Sequence, residues 1–107
     1  MIEIIVYSGS RGCEGFTATG HAGYAEEGYD IICASASVLM INTANSIEKL
    51  TGDKVVAEAD EGYLKVEFPE GLSHDGAVLM DAMMIGLEEI QNNYGKKYLS
   101  ILQRRKH

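Results

Sequence analysis

The sequence predicts an α+β fold, a single domain over residues 1–107 in which the element order ββαββα(β) forms a mixed or antiparallel sheet packed against two helices. Short runs in which side chains alternate with a period of two are typical of strands. Two longer segments, in which apolar residues recur every three or four positions, are typical of helices. A chain of 107 residues is also long enough to bury one core.

The first 21 residues predict a β-hairpin. Ile2, Ile4 and Val6 alternate with their neighbours, and a second alternating run at 16–21 contains two threonines, which favour strands. The intervening stretch 8–12 is rich in glycine and serine, as turns are. The glycine-punctuated stretch that follows, 23–28, fits neither period and is predicted as a loop.

A helix is predicted over residues 31–50, followed by a second hairpin. Gly52 stands where a helix would stop. Before it, five residues recur at helical spacing: Ala36, Met40, Thr43, Ile47 and Leu50. The runs 54–59 and 63–68 then flank the tight-turn sequence Asp60-Glu61-Gly62.

A second helix and a last strand complete the predicted order. Ser73 is a typical helix N-cap, and Gly95 lies just beyond the end of the periodic segment. The predicted buried stripe of this helix consists of Ala77, Met80, Met84, Leu87 and Tyr94. Residues 98–102 are predicted to form the last strand.

Composition excludes several classes of function. The formal net charge of −7 disfavours direct nucleic-acid binding, because phosphate backbones would repel the protein. No apolar run approaches the roughly 20 residues of a membrane span, and the first residues lack the features of a secretion signal. We therefore expect a cytoplasmic protein with no membrane partner, in which Cys13 and Cys33 are free thiols.

The segment from Gly20 to Ser37 contains residues suited to thiol chemistry. His21 ends the predicted hairpin, and Cys33 falls in the first turn of the predicted helix. The positive end of a helix lowers the pKa of a cysteine, and the thiolate is the nucleophilic form. A histidine titrates near neutral pH and can accept the thiol proton and later donate it. A Cys33–His21 pair could therefore transfer an acyl group.

Other features of this segment permit two interpretations. Backbone amides from Cys33 onward could stabilise an oxyanion. Asp30 is either a cap or first-turn acid of the helix, or a group that orients His21 or contacts substrate. Ser37 lies one turn after Cys33 and could be a small packing residue.

Cys13, His21, Cys33 and His74 match no usual zinc spacing, so we expect no metal or other cofactor.

The stretch Gly20-His21, followed by Asp30-Ile31-Ile32-Cys33-Ala34, resembles the signature of the ribosomal-processing cysteine protease family. In these small bacterial proteins the matching histidine and cysteine form a catalytic dyad. The resemblance thus implies His21 as base and Cys33 as nucleophile, with Gly20, Asp30 and Ser37 at supporting motif positions. It also implies a homodimer that removes an N-terminal extension from ribosomal large-subunit protein twenty-seven.

Two other functions remain open from the sequence. A noncatalytic dimeric binding module could recognise a ribosomal or ribosome-assembly partner, with Cys33 as a packing residue. A redox-sensing thiol protein would need a reactive Cys33 but no His21.

Overall fold

In the described part of the computed structural model, five strands form one sheet and two helices pack against it. The structure describes residues 1–20 and 29–105, with residues 29 and 30 described by their backbone. The elements are β1 (Ile2–Gly9), β2 (Gly12–Thr19), α1 (Tyr29–Leu50), β3 (Val56–Asp60), β4 (Tyr63–Glu67), α2 (His74–Tyr94) and β5 (Leu99–Arg105). This order confirms the predicted α+β fold, including its last strand.

The sheet is mixed, with the strand order β3-β4-β2-β1-β5. The β1–β2, β2–β4 and β3–β4 pairs are antiparallel, whereas β1 and β5 are parallel. Helix α2 makes the parallel pair possible, because it returns the chain from the end of β4 to the end of the sheet where β1 begins. The turn between β3 and β4 lies at that same end of the sheet.

The core lies between the helices and one face of the sheet. Alternate residues of β1 are buried there, and Phe16 stacks at a tilt on Phe68 with a ring-centroid distance of 6.4 Å. The largest fully buried side chains come from both layers: Phe16, Phe68, Ile4, Ile32, Ile47, Met83, Leu87, Leu99 and Val66. Burial of such side chains is the main favourable contribution to folding.

The first hairpin and α1 extend further than predicted. Both strands of the hairpin continue through the glycine-rich stretch, so only Ser10 and Arg11 form the turn, and the pairing register shifts between Tyr7 and Ser8. At its other end the second strand stops at Thr19, short of the predicted residue 21. Helix α1 begins at Tyr29, two residues before the predicted start. Its predicted face is buried apart from the last member, Leu50, which is exposed at the end of the helix.

The second helix begins as its sequence predicts. The Ser73 hydroxyl accepts a hydrogen bond from the backbone N–H of Gly76 at 3.1 Å, and Gly95 follows the last turn with φ of 106°. Asp53 supports this cap: its carboxylate accepts bonds from the Ser73 N–H at 3.0 Å and from the Ser73 hydroxyl at 2.8 Å. A capped helix end leaves fewer backbone groups without partners.

Several predicted positions in the second half of the chain shift by a few residues. Met83 is buried where Met84 was expected, and Tyr94 is 49% exposed. The strand predicted at 54–59 is β3, and the one predicted at 98–102 continues to Arg105. The end of α2 extends past the core, which explains why Tyr94 reaches solvent.

Within the described residues, the segment Ile31–Leu50 is long and apolar enough to cross a membrane by length and composition alone. Polar residues such as Ser35, Ser37 and Asn42 interrupt this segment, so it contains no continuous apolar run of that length. A core helix satisfies the same test, and α1 buries Ile32, Ala36, Met40 and Ile47 in the core. Packing in the core accounts for these buried residues, whereas Ile31, Val38, Ile41 and Leu50 of the same helix are exposed.

Candidate active site

Cys33 lies on α1, on the side that faces the end of the sheet where β1 begins. Its side chain is half-buried and packs against the core. Because α1 begins at Tyr29, Cys33 is one turn into the helix rather than in its first turn. The amides that lack partners within a helix lie at its cap and in its first turn, before Cys33. The predicted oxyanion-binding amides from Cys33 onward are therefore wrong, because these amides lie inside the helical hydrogen-bond ladder.

A pocket of about 230 Å³ opens beside Cys33. Helix α1 lines one side with Cys33, Ser37 and Ile41, which recur every four residues on one face, and with Met40. The β3–β4 hairpin lines the opposite side with Ala59, Asp60, Gly62, Tyr63 and Leu64, and the ends of β1 and β2 contribute Ile2, Ala18 and Gly20. The pocket is thus mostly apolar, and its lining residues with polar side chains are Cys33, Ser37, Asp60 and Tyr63.

Gly20 determines where the chain leaves the sheet beside this pocket. Its φ is +109°, a backbone conformation that residues with a side chain rarely adopt. A Cβ at this position would also overlap the backbone oxygen of Met1. Its N–H also donates to the Gly62 carbonyl at 3.1 Å, which joins the end of β2 to the β3–β4 turn. A glycine at this position allows three chain segments to meet at the pocket.

The structure brings three of the predicted site residues together. Gly20, Cys33 and Ser37 line the same pocket. The backbone of Asp30 lies in the first turn of α1, in agreement with the first-turn interpretation of its position. His21 follows Gly20 directly and lies outside the described residues, so its role as base stays a prediction.

The β3–β4 hairpin contributes to the pocket although no sequence motif predicts it. Ala59, Asp60 and Tyr63 belong to the pocket although they lie more than 25 residues after Cys33 in the chain. No local motif marks them, because their position depends on β4 pairing with β2 rather than with a sequence neighbour. Only the strand order could have identified them.

The second cysteine has a different environment. Cys13 and Cys33 form no disulfide with each other, as predicted. Burial raises the pKa of Cys13, and the negative charges of Asp81 and Glu14 raise it further, against the opposing effect of hydrogen bonding with the backbone of Gly15. Cys13 is therefore poorly ionised near neutral pH, which suits a structural thiol.

No group of three or more potential metal ligands occurs among residues 1–20 and 29–105. Histidine, cysteine, aspartate and glutamate side chains of this part of the chain are too dispersed to hold an ion.

Comparison with known proteins assigns the chain to a family. The family model described as "Cysteine protease Prp" matches residues 1–99. The chain belongs to the Prp family of cysteine proteases. A Bacillus subtilis relative, ribosomal processing cysteine protease Prp, is 32% identical over 93 residues, covering 81% of this chain and 83% of its own length. The Staphylococcus aureus Prp is 27% identical over 79 residues, covering 72% and 74%.

Solved structures share this Prp fold. A Streptococcus mutans protein superposes with a TM-score of 0.83 and 25% identity, covering 99% of this chain and 96% of its own. The Staphylococcus aureus Prp in complex with a covalently linked product peptide also has a TM-score of 0.83, at 23% identity, with coverage of 96% and 99%. The same Staphylococcus aureus protease has been solved with a substrate peptide. The chain is accordingly a cysteine protease with the Prp fold.

Proposed function

We propose that this Prp protease removes an N-terminal extension from ribosomal large-subunit protein twenty-seven, with Cys33 as nucleophile and His21 as base. The observation that carries the proposal is the half-buried thiol of Cys33 at the boundary of an open, mostly apolar pocket. Such a pocket accommodates one side chain of a peptide while the thiol meets the adjacent carbonyl. The names of the relatives, which are ribosomal processing proteases, support a ribosomal substrate, and the family resemblance supplies the choice of protein twenty-seven.

The chemistry is acyl transfer in two steps. His21 accepts the proton of Cys33, and the thiolate attacks the carbonyl carbon of the scissile peptide bond. The carbon–nitrogen bond breaks, His21 returns the proton to the leaving amine, and the extension remains attached to Cys33 as a thioester. Water, deprotonated by His21, then attacks the thioester, which releases the extension as a carboxylate and restores the thiol. No metal or other cofactor takes part in this scheme.

We propose that the protein is a homodimer and that it acts in the cytoplasm, where ribosomal proteins are made. Support for the dimer comes from apolar residues on the solvent side of the helix layer: Val38 of α1 is 68% exposed and Ile85 of α2 is 63% exposed. Leu39 packs on Gly86, so the two exposed residues flank one helix–helix contact. In sedimentation analysis we expect the unmodified protein to be a dimer and Val38→Glu to be a monomer. A monomeric unmodified protein, or a Val38→Glu variant that remains dimeric, would argue against this surface.

The proposal is tested with the extended precursor of ribosomal large-subunit protein twenty-seven from the same organism, followed by intact mass. The unmodified protease should shorten the precursor, whereas Cys33→Ala and His21→Ala should leave it intact. Cys13→Ala is the matched control, because it removes the other thiol and should retain cleavage. An intact precursor with the unmodified protease would refute the function, and cleavage by His21→Ala would refute the dyad.

A further inference from the structure

Strand β3 forms one edge of the sheet and is exposed along its entire length. Every residue of Val56–Asp60 is solvent-exposed, and β4 is the strand that pairs with it. Within the part of the chain that the structure describes, no element lies along its outer side. An edge strand of this kind presents backbone groups that can bind another extended chain.

The register shows which residues direct their backbone groups outward. Gly62 accepts from Gly20, and Phe68 donates to Glu14, so the even-numbered residues of β4 face β2. The odd-numbered residues of β4 must then face β3, where Lys65 pairs with Glu58. Since hydrogen-bonding direction alternates along a strand, Ala57 and Ala59 direct their N–H and C=O groups to the free edge.

Three of the usual obstacles to strand addition are missing from this edge: β3 contains no lysine, no proline and no bulge. The two residues whose backbone groups face the free edge are alanines, whose small side chains leave access to the backbone. The charged residues of β3, Glu58 and Asp60, are acidic, as is Glu61 in the adjoining turn. The edge therefore favours an extended chain that carries positive charge.

The free edge is continuous with the pocket at Cys33. Ala59 and Asp60 line the pocket that also contains the thiol. A strand added along β3 would place alternate side chains on the face of the sheet that the helices cover, beside Met40 and Ile41 of the pocket. The following peptide bond would then lie close to Cys33.

We infer that β3 is the docking edge for the substrate, and that a basic, extended peptide segment pairs with the backbone of Ala57 and Ala59 as an additional strand. This inference rests on the proposed function, since the peptide is the one cleaved at Cys33. It adds that affinity comes from main-chain hydrogen bonds along β3, together with the acidic residues at its end, and that the pocket selects one side chain.

The direct test is a backbone N-methyl scan of a synthetic peptide that spans the end of the extension. Binding is measured by fluorescence anisotropy on the Cys33→Ala variant, which prevents turnover. Methylation removes one N–H donor, so we expect a roughly 2- to 12-fold weaker affinity at every second residue and little change at those between. A scan with no two-residue alternation would overturn strand addition.

Variants of the edge provide an independent test. Ala57→Pro removes an outward N–H at an edge position, where proline is tolerated, and should weaken binding, whereas Ala57→Val retains the N–H and should bind normally. Circular dichroism checks that both variants fold. Should Ala57→Pro unfold, the N-methyl scan still decides the question. Equal binding by two folded variants would contradict a role for this edge.

The charge component is tested with Glu58→Gln combined with Glu61→Gln. This pair should weaken peptide binding at low salt and reduce its salt dependence. The matched control, Glu88→Gln combined with Glu89→Gln, neutralises two exposed carboxylates of α2 and should have no such effect. Equal effects of the two pairs would show that net charge, not the β3 edge, attracts the peptide.

Failure of the inference can be distinguished from failure of the proposed function. Cleavage of the unmethylated peptide, with no alternation in the scan, would retain the protease and reject the β3 edge. Alternating affinity without cleavage by the unmodified protease would retain the edge and reject the proposed cleavage of this substrate.

Discussion

Substitution of Gly20 by alanine tests how the pocket is built. Alanine would have to adopt φ of +109°, and its Cβ would overlap the Met1 carbonyl oxygen, which belongs to the sheet rather than to a flexible side chain. Backbone conformations of this kind cost about 1–3 kcal/mol. Displacing Met1 or Gly20 would also weaken the Gly20–Gly62 hydrogen bond, with a net contribution of about 0.5–1.5 kcal/mol. We expect Gly20→Ala to lower the free energy of unfolding by about 2–4 kcal/mol.

Two other glycines separate the two causes. Gly12 has φ of +80° but open space around a Cβ, so Gly12→Ala should incur only the conformational cost, about 1–2 kcal/mol. Gly52 has open space and no positive φ, so Gly52→Ala should be neutral or stabilising by about 0.4–1 kcal/mol. Urea denaturation measures all three, because a domain of this size usually unfolds in one transition. If Gly20→Ala were no less stable than Gly12→Ala, the close approach to Met1 would not limit this position.

Three further predictions concern the thiols and the helix cap. In the Cys33→Ala variant, iodoacetamide should modify Cys13 more slowly at pH 8 than it modifies a cysteine in an unfolded peptide, because burial raises the pKa of Cys13; equal rates would contradict its burial. The same raised pKa means that the stability contributed by neutral Cys13 is present below its unfolded pKa and is lost as pH rises through the higher folded pKa. The free energy of unfolding of Cys13→Ala should therefore fall less steeply with rising alkaline pH than that of the unmodified protein. Parallel pH profiles of the two proteins would refute this. Asp53→Ala removes the acceptor for the Ser73 N–H and hydroxyl and should destabilise the protein by about 1–2 kcal/mol in urea, whereas Asp75→Ala, a first-turn control, should cost less; the reverse order would contradict the cap.

The parts of the fold with local signals were predictable from the sequence. Ser73 and Gly95 mark the ends of α2 because capping depends on nearby backbone groups. The turn at Glu61 and Gly62 was predictable for the same reason. By contrast, the predicted start of α1 lies two residues late, because Asp30 suits a cap before Ile31 as well as a place in the first turn, and helix ends are commonly uncertain by that amount.

The candidate site was predictable only where it coincides with a short motif. Gly20 and Cys33 belong to one stretch of sequence, and the structure places both at one pocket. The opposite wall of the pocket could be predicted only from the strand order, because β4 pairs with β2 although α1 and β3 separate the two strands in the sequence. Parallel pairing of β5 with β1 had no local signal either, because it depends on the path of α2.

The most direct measurement of the central claim is the location of the acyl group on the enzyme. The protease is mixed with a thioester of the extension peptide, quenched in acid during turnover and digested for mass spectrometry. The account predicts that the extension is attached to Cys33, that Cys13→Ala gives the same adduct, and that Cys33→Ala gives none. An adduct on Cys13, or precursor cleavage that persists in Cys33→Ala, would contradict Cys33 as the nucleophile.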